Sequence, residues 1–503
     1  MNKTRSKSSS DNRKKRGKIF MTKSNQIRKT HQQVRGFVFI WTFITLIMGL
    51  ATFLAIYFAY QPDIVNVSDL VNGGNNLSSG QVVVIASQTP LPTEPPTATL
   101  IPSDTPTNVP TTVAQVATEV PTEIIPATNT PEPTAVPPDE DETFMVGVQI
   151  QVPQDLNPDV MNGYLRTARQ DLSVQWMKVQ VRWEVIEEQA GVFKWDELDL
   201  GMAGARFFGV HPMLSIVTAP DWAREPGIST AKHGPPANNA DYVNFVRTIL
   251  QRYDGQVYAI EVWNEQNLDR EWASMQGLRA SNYVALLRDT YNMVQEVSPG
   301  TIVISGALSP TGLDDGIGAI DDFRYMEQMI DFGLLDVVDC VGAHHNGYNI
   351  SPLVRFDAVP NDPGAGFRGP FDNPHHSWSF RSTLEGYTTR IRNVGSDKKL
   401  CITEFGWAVT EDLGGYPRGF EFAVDNTLDE QAVFFVDALQ SMMESGDVWL
   451  AFIWNLNYGP QAGWDATNDN VPYSLIGPDN TFRPAFDAIR DWNQAYLSRI
   501  GRS

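Results

Sequence analysis

Two glutamates are the residues best placed to do chemistry. Glu265 lies in Glu261-Val-Trp-Asn-Glu-Gln-Asn267 and Glu404 in Leu400-Cys-Ile-Thr-Glu-Phe-Gly-Trp407. Each ends a short apolar run of the kind that forms a buried parallel strand, and loop-forming residues follow at once. Two carboxylates brought together from different strands can cleave a glycosidic bond. One protonates the leaving oxygen, and the other attacks the anomeric carbon or activates water. The donor must hold a proton near neutral pH, so its carboxyl needs an apolar wall or a nearby negative charge. The nucleophile must stay ionised, so it needs donors. Trp263, Trp407 and Trp454 lie close by in sequence to these strand ends and offer flat faces on which a sugar ring stacks.

The elements that would position this pair can be read from the pattern. From about Glu142 onward, apolar runs alternate with amphipathic segments. The runs are Phe144–Val152, Trp176–Arg182, His211–Val217, Val257–Trp263, Thr301–Gly306, Val337–His344, Lys399–Glu404 and Val448–Trp454. Between them lie helical patterns such as Ala240–Tyr253, Ala280–Val297, Leu428–Glu444 and Phe482–Leu497. Alternation of this length is the rhythm of a (β/α)₈ TIM barrel, an α/β fold whose catalytic groups sit at the C-terminal ends of the strands. The largest insertion, Asn346 to about Ser382, follows the sixth strand and is rich in Gly, Pro, His and aromatics. On that face a long loop is expected to bind or cover substrate.

Residues 142–500 resemble a clan A glycoside hydrolase. The segment Trp263-Asn-Glu-Gln-Asn267 is similar to the WNEPN pattern of the family thirty-nine type, with Gln266 in place of proline, and Thr403-Glu-Phe-Gly-Trp407 resembles the clan's nucleophile segment. Arg182-Trp-Glu-Val-Ile-Glu-Glu-Gln-Ala-Gly191, Trp195-Asp-Glu-Leu-Asp199 and Ala219-Pro-Asp-Trp222 match further stretches of bacterial members. The resemblance implies that Glu265 is the acid/base and Glu404 the nucleophile. It implies that Arg182 is the cation beside the nucleophile, with a plain structural salt bridge as the alternative, and that Asn264 donates to the sugar 2-OH. Trp454 is expected to floor the subsite for the reacting sugar, and Trp407 to line the site and exclude water. Trp222, Trp272, Trp378 and Trp464 are placed in or beside catalytic-face loops.

The clan often shows His-x-Tyr at the end of strand six. Here the run is Ala343-His-His-Asn-Gly-Tyr348, so His344 is kept, Asn346 stands at the tyrosine position and Tyr348 comes two residues later. His344 and Tyr348 are both carried as substrate-site residues. His344 and His345 as adjacent strand residues point to opposite faces, so no metal is expected at the site, and no cofactor. Glu261 shares the parity of Glu265 but lies deeper, which suggests a buried structural carboxylate. His211 starts strand three and is expected to be structural.

The 503-residue chain has a net charge of −21, unevenly spread. Residues 1–36 hold twelve Lys/Arg and one acid, leaving 26 basic against 58 acidic residues beyond them. An acidic domain lacks the clustered cations that phosphate binding requires, so nucleic acid is excluded as a partner. Residues 37–60 are 24 consecutive uncharged residues, long enough to span a bilayer, and the basic flank predicts a cytoplasmic tail. A cleaved signal peptide is the alternative. Residues 61–141 include the Thr/Pro-rich stretch Thr89–Pro138, whose composition predicts a disordered, extended stalk. The expected layout is a tail (1–36), a transmembrane helix (37–60), a linker (61–141) and a barrel (142–503) in the cell membrane, facing outward. Cys340 and Cys401 lie in separate predicted strands, where two buried free thiols are expected rather than a disulfide.

The leading expectation is therefore a retaining O-glycoside hydrolase acting on a β-linked oligo- or polysaccharide. Its two carboxyl groups should then stand about 5–5.5 Å apart. A transglycosylase and a non-catalytic carbohydrate-binding or scaffold protein on a decayed barrel are the alternatives.

Overall fold

The alternation of apolar runs and amphipathic segments closes into a barrel in the computed structural model, which describes residues 142–360, 366 and 375–502. The strands are β1 (Met145–Gln149), β2 (Trp176–Arg182), β3 (His211–Val217), β4 (Ala259–Val262), β5 (Ile302–Ser305), β6 (Val341–Gly347), β7 (Leu400–Trp407) and β8 (Val448–Ile453). All their pairings are parallel, in the order β5-β4-β3-β2-β1-β8-β7-β6. Bridges between Ile304 and Cys340 and between Leu308 and Ala343 join the two outer strands and complete the ring. The expected tail, transmembrane helix and stalk lie outside the described residues. Among the described residues no helix is long and apolar enough to cross a membrane.

Eight longer helices surround the ring: α1 (Pro158–Arg166), α2 (Asp196–Phe208), α3 (Asn239–Arg252), α4 (Ala280–Val297), α5 (Asp322–Asp331), α6 (Phe380–Asn393), α7 (Leu428–Ser445) and α8 (Pro484–Arg499). Local chemistry sets their ends. Thr427 and Glu430 form a reciprocal capping box at the start of α7. Gly209 takes a left-handed conformation that stops α2. Pro484 opens α8, two residues after the expected start, because proline suits the first helical position.

Two expectations are corrected by the tertiary structure. Strand β6 begins at Val341 and runs on to Gly347, and β7 runs on to Trp407, which puts His344 and Glu404 in mid-strand rather than at the strand ends. Cys340 and Cys401 form a disulfide, with Cα atoms 5.8 Å apart. The sequence places them 61 residues apart, but β6 and β7 are neighbours in the ring, and the pairing Val341–Leu400 sets the two cysteines side by side.

Candidate active site

The floor of the barrel mouth is a buried charge cluster. Lys178 projects inward from β2 with no exposed side-chain surface. Its Nζ lies 2.8 Å from Glu404 Oε1 and 3.3 Å from Glu261 Oε2. Glu261 also accepts from the Thr403 hydroxyl at 2.6 Å and from the Ala307 N–H at 3.3 Å. Burial raises the Glu261 carboxyl, but Lys178, His344 and hydrogen bonds outweigh it and hold the group below its ordinary range. Burial likewise opposes the charge on Lys178, yet Glu261 and Glu404 together raise it. A cation between two carboxylates is the arrangement in which a buried ion stays charged.

Thr403 and Glu404 are adjacent, and alternation would send them to opposite faces. Both reach the barrel interior because the pairing of β7 with β6 and β8 shifts register around Thr403, the signature of a bulge. Beyond it alternation resumes, so Phe405 and Trp407 face the helices. Trp407 packs on Phe380, Phe434 and Phe435 and is fully buried. The expectation that its ring lines the sugar site is thereby corrected.

Glu265 stands above this floor. The backbone leaving β4 is left-handed at Trp263 (φ 76°) and Glu265 (φ 45°), uncommon for side-chain-bearing residues and a form of strain that clusters at working sites. The turn is pinned from both sides. Glu265 N–H donates to Ala307 O at 2.9 Å, Gln266 Nε2 to Gly306 O at 2.7 Å, and Asn267 Nδ2 to Ser309 O and Ile320 O at 2.9 and 3.0 Å. Gly306 has to be glycine for this approach, since a Cβ there would lie 2.5 Å from Gln266 Oε1.

His344 links the two glutamates. Its Nδ1 lies 3.3 Å from Glu265 Oε1 and 3.8 Å from Glu404 Oε2. Those two oxygens therefore stand no further apart than the two distances laid end to end, about 7 Å. Burial pushes the His344 imidazole down, but Glu404 and the bond to Glu265 raise it overall.

Arg270, on the loop after β4, donates through Nη2 to Glu265 Oε2 at 2.7 Å. Burial raises Glu265, but His344 and Arg270 win, and its pKa falls to about 2. The burial expected to hold a proton here is thus present, but His344 and Arg270 outweigh it in the unliganded site. Trp263 does not wall it, since its ring packs on Trp272 and Tyr242 in the core.

The remaining expected residues separate by location. Arg182 is 53% exposed and pairs with Glu184, so the cation at Glu404 is Lys178, four residues earlier on the same face of β2. Trp454 has its ring centroid 6.0 Å from Lys178 Nζ and stacks near Tyr458 at 5.3 Å, which places it at the site. Asn264 is buried beside Glu265, and its Oδ1 has no hydrogen-bond partner. Tyr348 packs on Trp378 and Phe422, each 4.9 Å away, on the rim. Trp272 is core, and Trp222 is partly exposed with Nε1 bonded to Glu187 O. Lys178, Thr403 and Arg270 were missed. The one sequence signal for Lys178 is a lone lysine inside the apolar run Trp176–Val181. Arg270 gave none.

No protein-family model and no curated protein matches the chain. Solved structures are similar to it. A family 39 glycoside hydrolase from the gut symbiont Bacteroides cellulosilyticus WH2 aligns over 71% of this chain and 64% of its own, at 17% identity and a TM-score of 0.50. The GH39 enzyme from Xanthomonas axonopodis pv. citri aligns over 71% of this chain and 67% of its own, at 17% identity and a TM-score of 0.47. Native xylanase 10B from Thermotoga maritima aligns over 72% and 98%, at 13% identity and a TM-score of 0.47. The chain spans just under two thirds of the first of these relatives. That first likeness supports the fold, a parallel eight-stranded barrel.

Proposed function

We propose that the chain is a retaining O-glycoside hydrolase acting on β-linked glycans, with Glu404 as nucleophile and Glu265 as acid/base. The observation that carries this reading is the meeting of Glu265 and Glu404 at one imidazole, His344, at the C-terminal mouth of the barrel. The bound of about 7 Å on their facing oxygens includes the ~5–5.5 Å of retaining enzymes and excludes most of the ~6.5–9.5 Å range of inverting ones.

The two roles follow from the two cations. Lys178 is sealed in the barrel and donates to Glu404 Oε1 at 2.8 Å, which holds that carboxylate in place to attack the anomeric carbon. Arg270 is 66% exposed on a loop and can withdraw as substrate enters. Withdrawal lets Glu265 take up a proton, which it gives to the leaving oxygen as the glycosidic bond breaks. Glu265 then removes a proton from water, whose oxygen attacks the glycosyl ester and frees Glu404. The Cys340–Cys401 disulfide suits an oxidising compartment. It supports the reading that the barrel lies outside the cytoplasm, with residues 37–60 proposed as its membrane anchor on their composition alone.

A panel of aryl β-glycosides tests the reading. Turnover of at least one sugar is expected, and it should fall by several orders of magnitude in Glu404→Gln. With an activated leaving group, Glu265→Ala should regain turnover on adding azide, which needs no base, and give a β-glycosyl azide. Sugar binding without turnover on any substrate would mark a carbohydrate-binding protein instead. Transfer to a second sugar in preference to water would mark a transglycosylase.

A further inference from the structure

A second cluster of metal-ligating side chains lies away from the two glutamates. Asp321 caps the N-terminus of α5, and its Oδ1 accepts from Arg324 N–H at 3.0 Å. Its other oxygen faces two adjacent histidines at the end of the long connection after β6. Oδ2 lies 3.3 Å from His375 Nε2 and 3.9 Å from His376 Nε2, and ligand atoms of these three residues fall within 4.8 Å of one another. Donors held tetrahedrally at ~2.0–2.2 Å from zinc stand roughly 3.3–3.6 Å apart. The Asp321–His375 spacing already fits, and the Asp321–His376 spacing of 3.9 Å is a few tenths of an ångström too long, which a small movement of the Asp321 carboxylate closes.

The surroundings also suit a dication. Asp322 is buried, lies 2.9 and 3.0 Å from His376 Nε2 and adds a second negative charge. His375 Nδ1 lies 2.9 Å from the Ser377 hydroxyl and accepts from the Ser377 N–H at 3.3 Å, which holds the ring against the turn with Nε2 toward Asp321. Two imidazoles thus stand beside two carboxylates.

We propose that Asp321, His375 and His376 bind one divalent transition-metal ion of the zinc type, with a water completing its shell. Imidazole with carboxylate favours such ions over calcium or magnesium. The ion is structural. It ties the start of α5 to the short turn His376–Trp378, whose Trp378 packs on Tyr348 at the rim, and so fixes the end of the longest insertion. The proposal is independent of the roles given to Glu265 and Glu404.

The test uses the full chain, stripped with a chelator, dialysed against Zn²⁺ and desalted. One zinc per chain by elemental analysis, and a Tm several degrees above the stripped protein, are expected. Co²⁺ in its place should give the visible absorption of a tetrahedral site. His375→Ala, at a partly exposed position, and Asp321→Asn, which keeps an oxygen for the helix cap, should both lose the zinc and the Tm rise while remaining folded. The proposal is overturned if the parent retains less than about one tenth of an equivalent. It is equally overturned if His375→Ala retains as much zinc as the parent.

Discussion

At the scale of single residues, the site is governed by which cation holds which carboxylate. Arg270 and His344 keep Glu265 near a pKa of about 2 in the unliganded state, whereas a general acid must be protonated. Activity that needs this proton falls as pH rises through the pKa of Glu265. Replacing Arg270 by alanine removes a stabiliser of the ionised form, so the pKa rises. The alkaline limb of the kcat/KM profile should then move to higher pH in Arg270→Ala. An unmoved or downward-shifted limb would show that Arg270 does not control this proton. Lys178 gives a different outcome. Lys178→Met leaves Glu261 and Glu404 buried without their cation, a change that costs about 3–5 kcal/mol. Adding Glu261→Gln should recover part of that stability by removing one stranded charge, yet leave turnover low because Glu404 still lacks its donor. Recovery of both would make Lys178 purely structural. Denaturant midpoints with initial rates on the same samples decide it.

At the scale of elements, β6 and β7 do most to shape the site, and both carry buried features that titration and reduction can probe. The disulfide joins them across a 61-residue separation. Its removal in Cys340→Ser/Cys401→Ser should lower stability by roughly 2–4 kcal/mol, read as a lower denaturant midpoint. His345, on the face of β6 opposite His344, is fully buried with both ring nitrogens unpartnered, and burial lowers its pKa to about 3. The unfolded chain binds that proton at ~6.5. Between those two values the unfolded state holds more protons, so stability rises with pH in that window and is lost as pH falls. In His345→Phe the loss between pH 6.5 and 4.5 should be shallower by up to ~1.4 kcal/mol per pH unit. His211, lowered to about 4, has the same sign and stays in both proteins, so the difference between the two titrations isolates His345.

At the scale of the whole molecule, the break in composition near Pro138 separates a basic, apolar and Thr/Pro-rich N-terminal third from the barrel. The described fold begins at Glu142, and Lys399 Nζ donates to the Glu142 carbonyl at 2.9 Å. A chain starting at Glu142 should therefore fold and stay monodisperse in gel filtration without detergent. Aggregation of that chain, alongside a soluble one beginning at residue 61, would show that the linker packs on the barrel. The full chain should partition with membranes and withstand high-salt washing, since a span of 24 uncharged residues is held by apolar burial rather than by charge.

The repeat of strand and helix, the turn after β4 bearing Glu265, the buried Glu261 and the position of Trp454 were legible in the chain, because local periodicity and apolar burial fix them; the end of β7 was not, since that strand runs three residues past Glu404 to Trp407. What only the tertiary structure decided depends on distance across the ring. Arg182 and Lys178 share a face of one strand, and nothing local says which depth meets Glu404. The slip in register at Thr403 turns Trp407 outward and Thr403 inward, and a slip is a property of paired strands, not of one strand's sequence. Cys340 and Cys401 meet because the ring makes β6 and β7 neighbours. Arg270 reaches Glu265 because the loop after β4 folds back over its own strand end, a contact that no repeat pattern encodes.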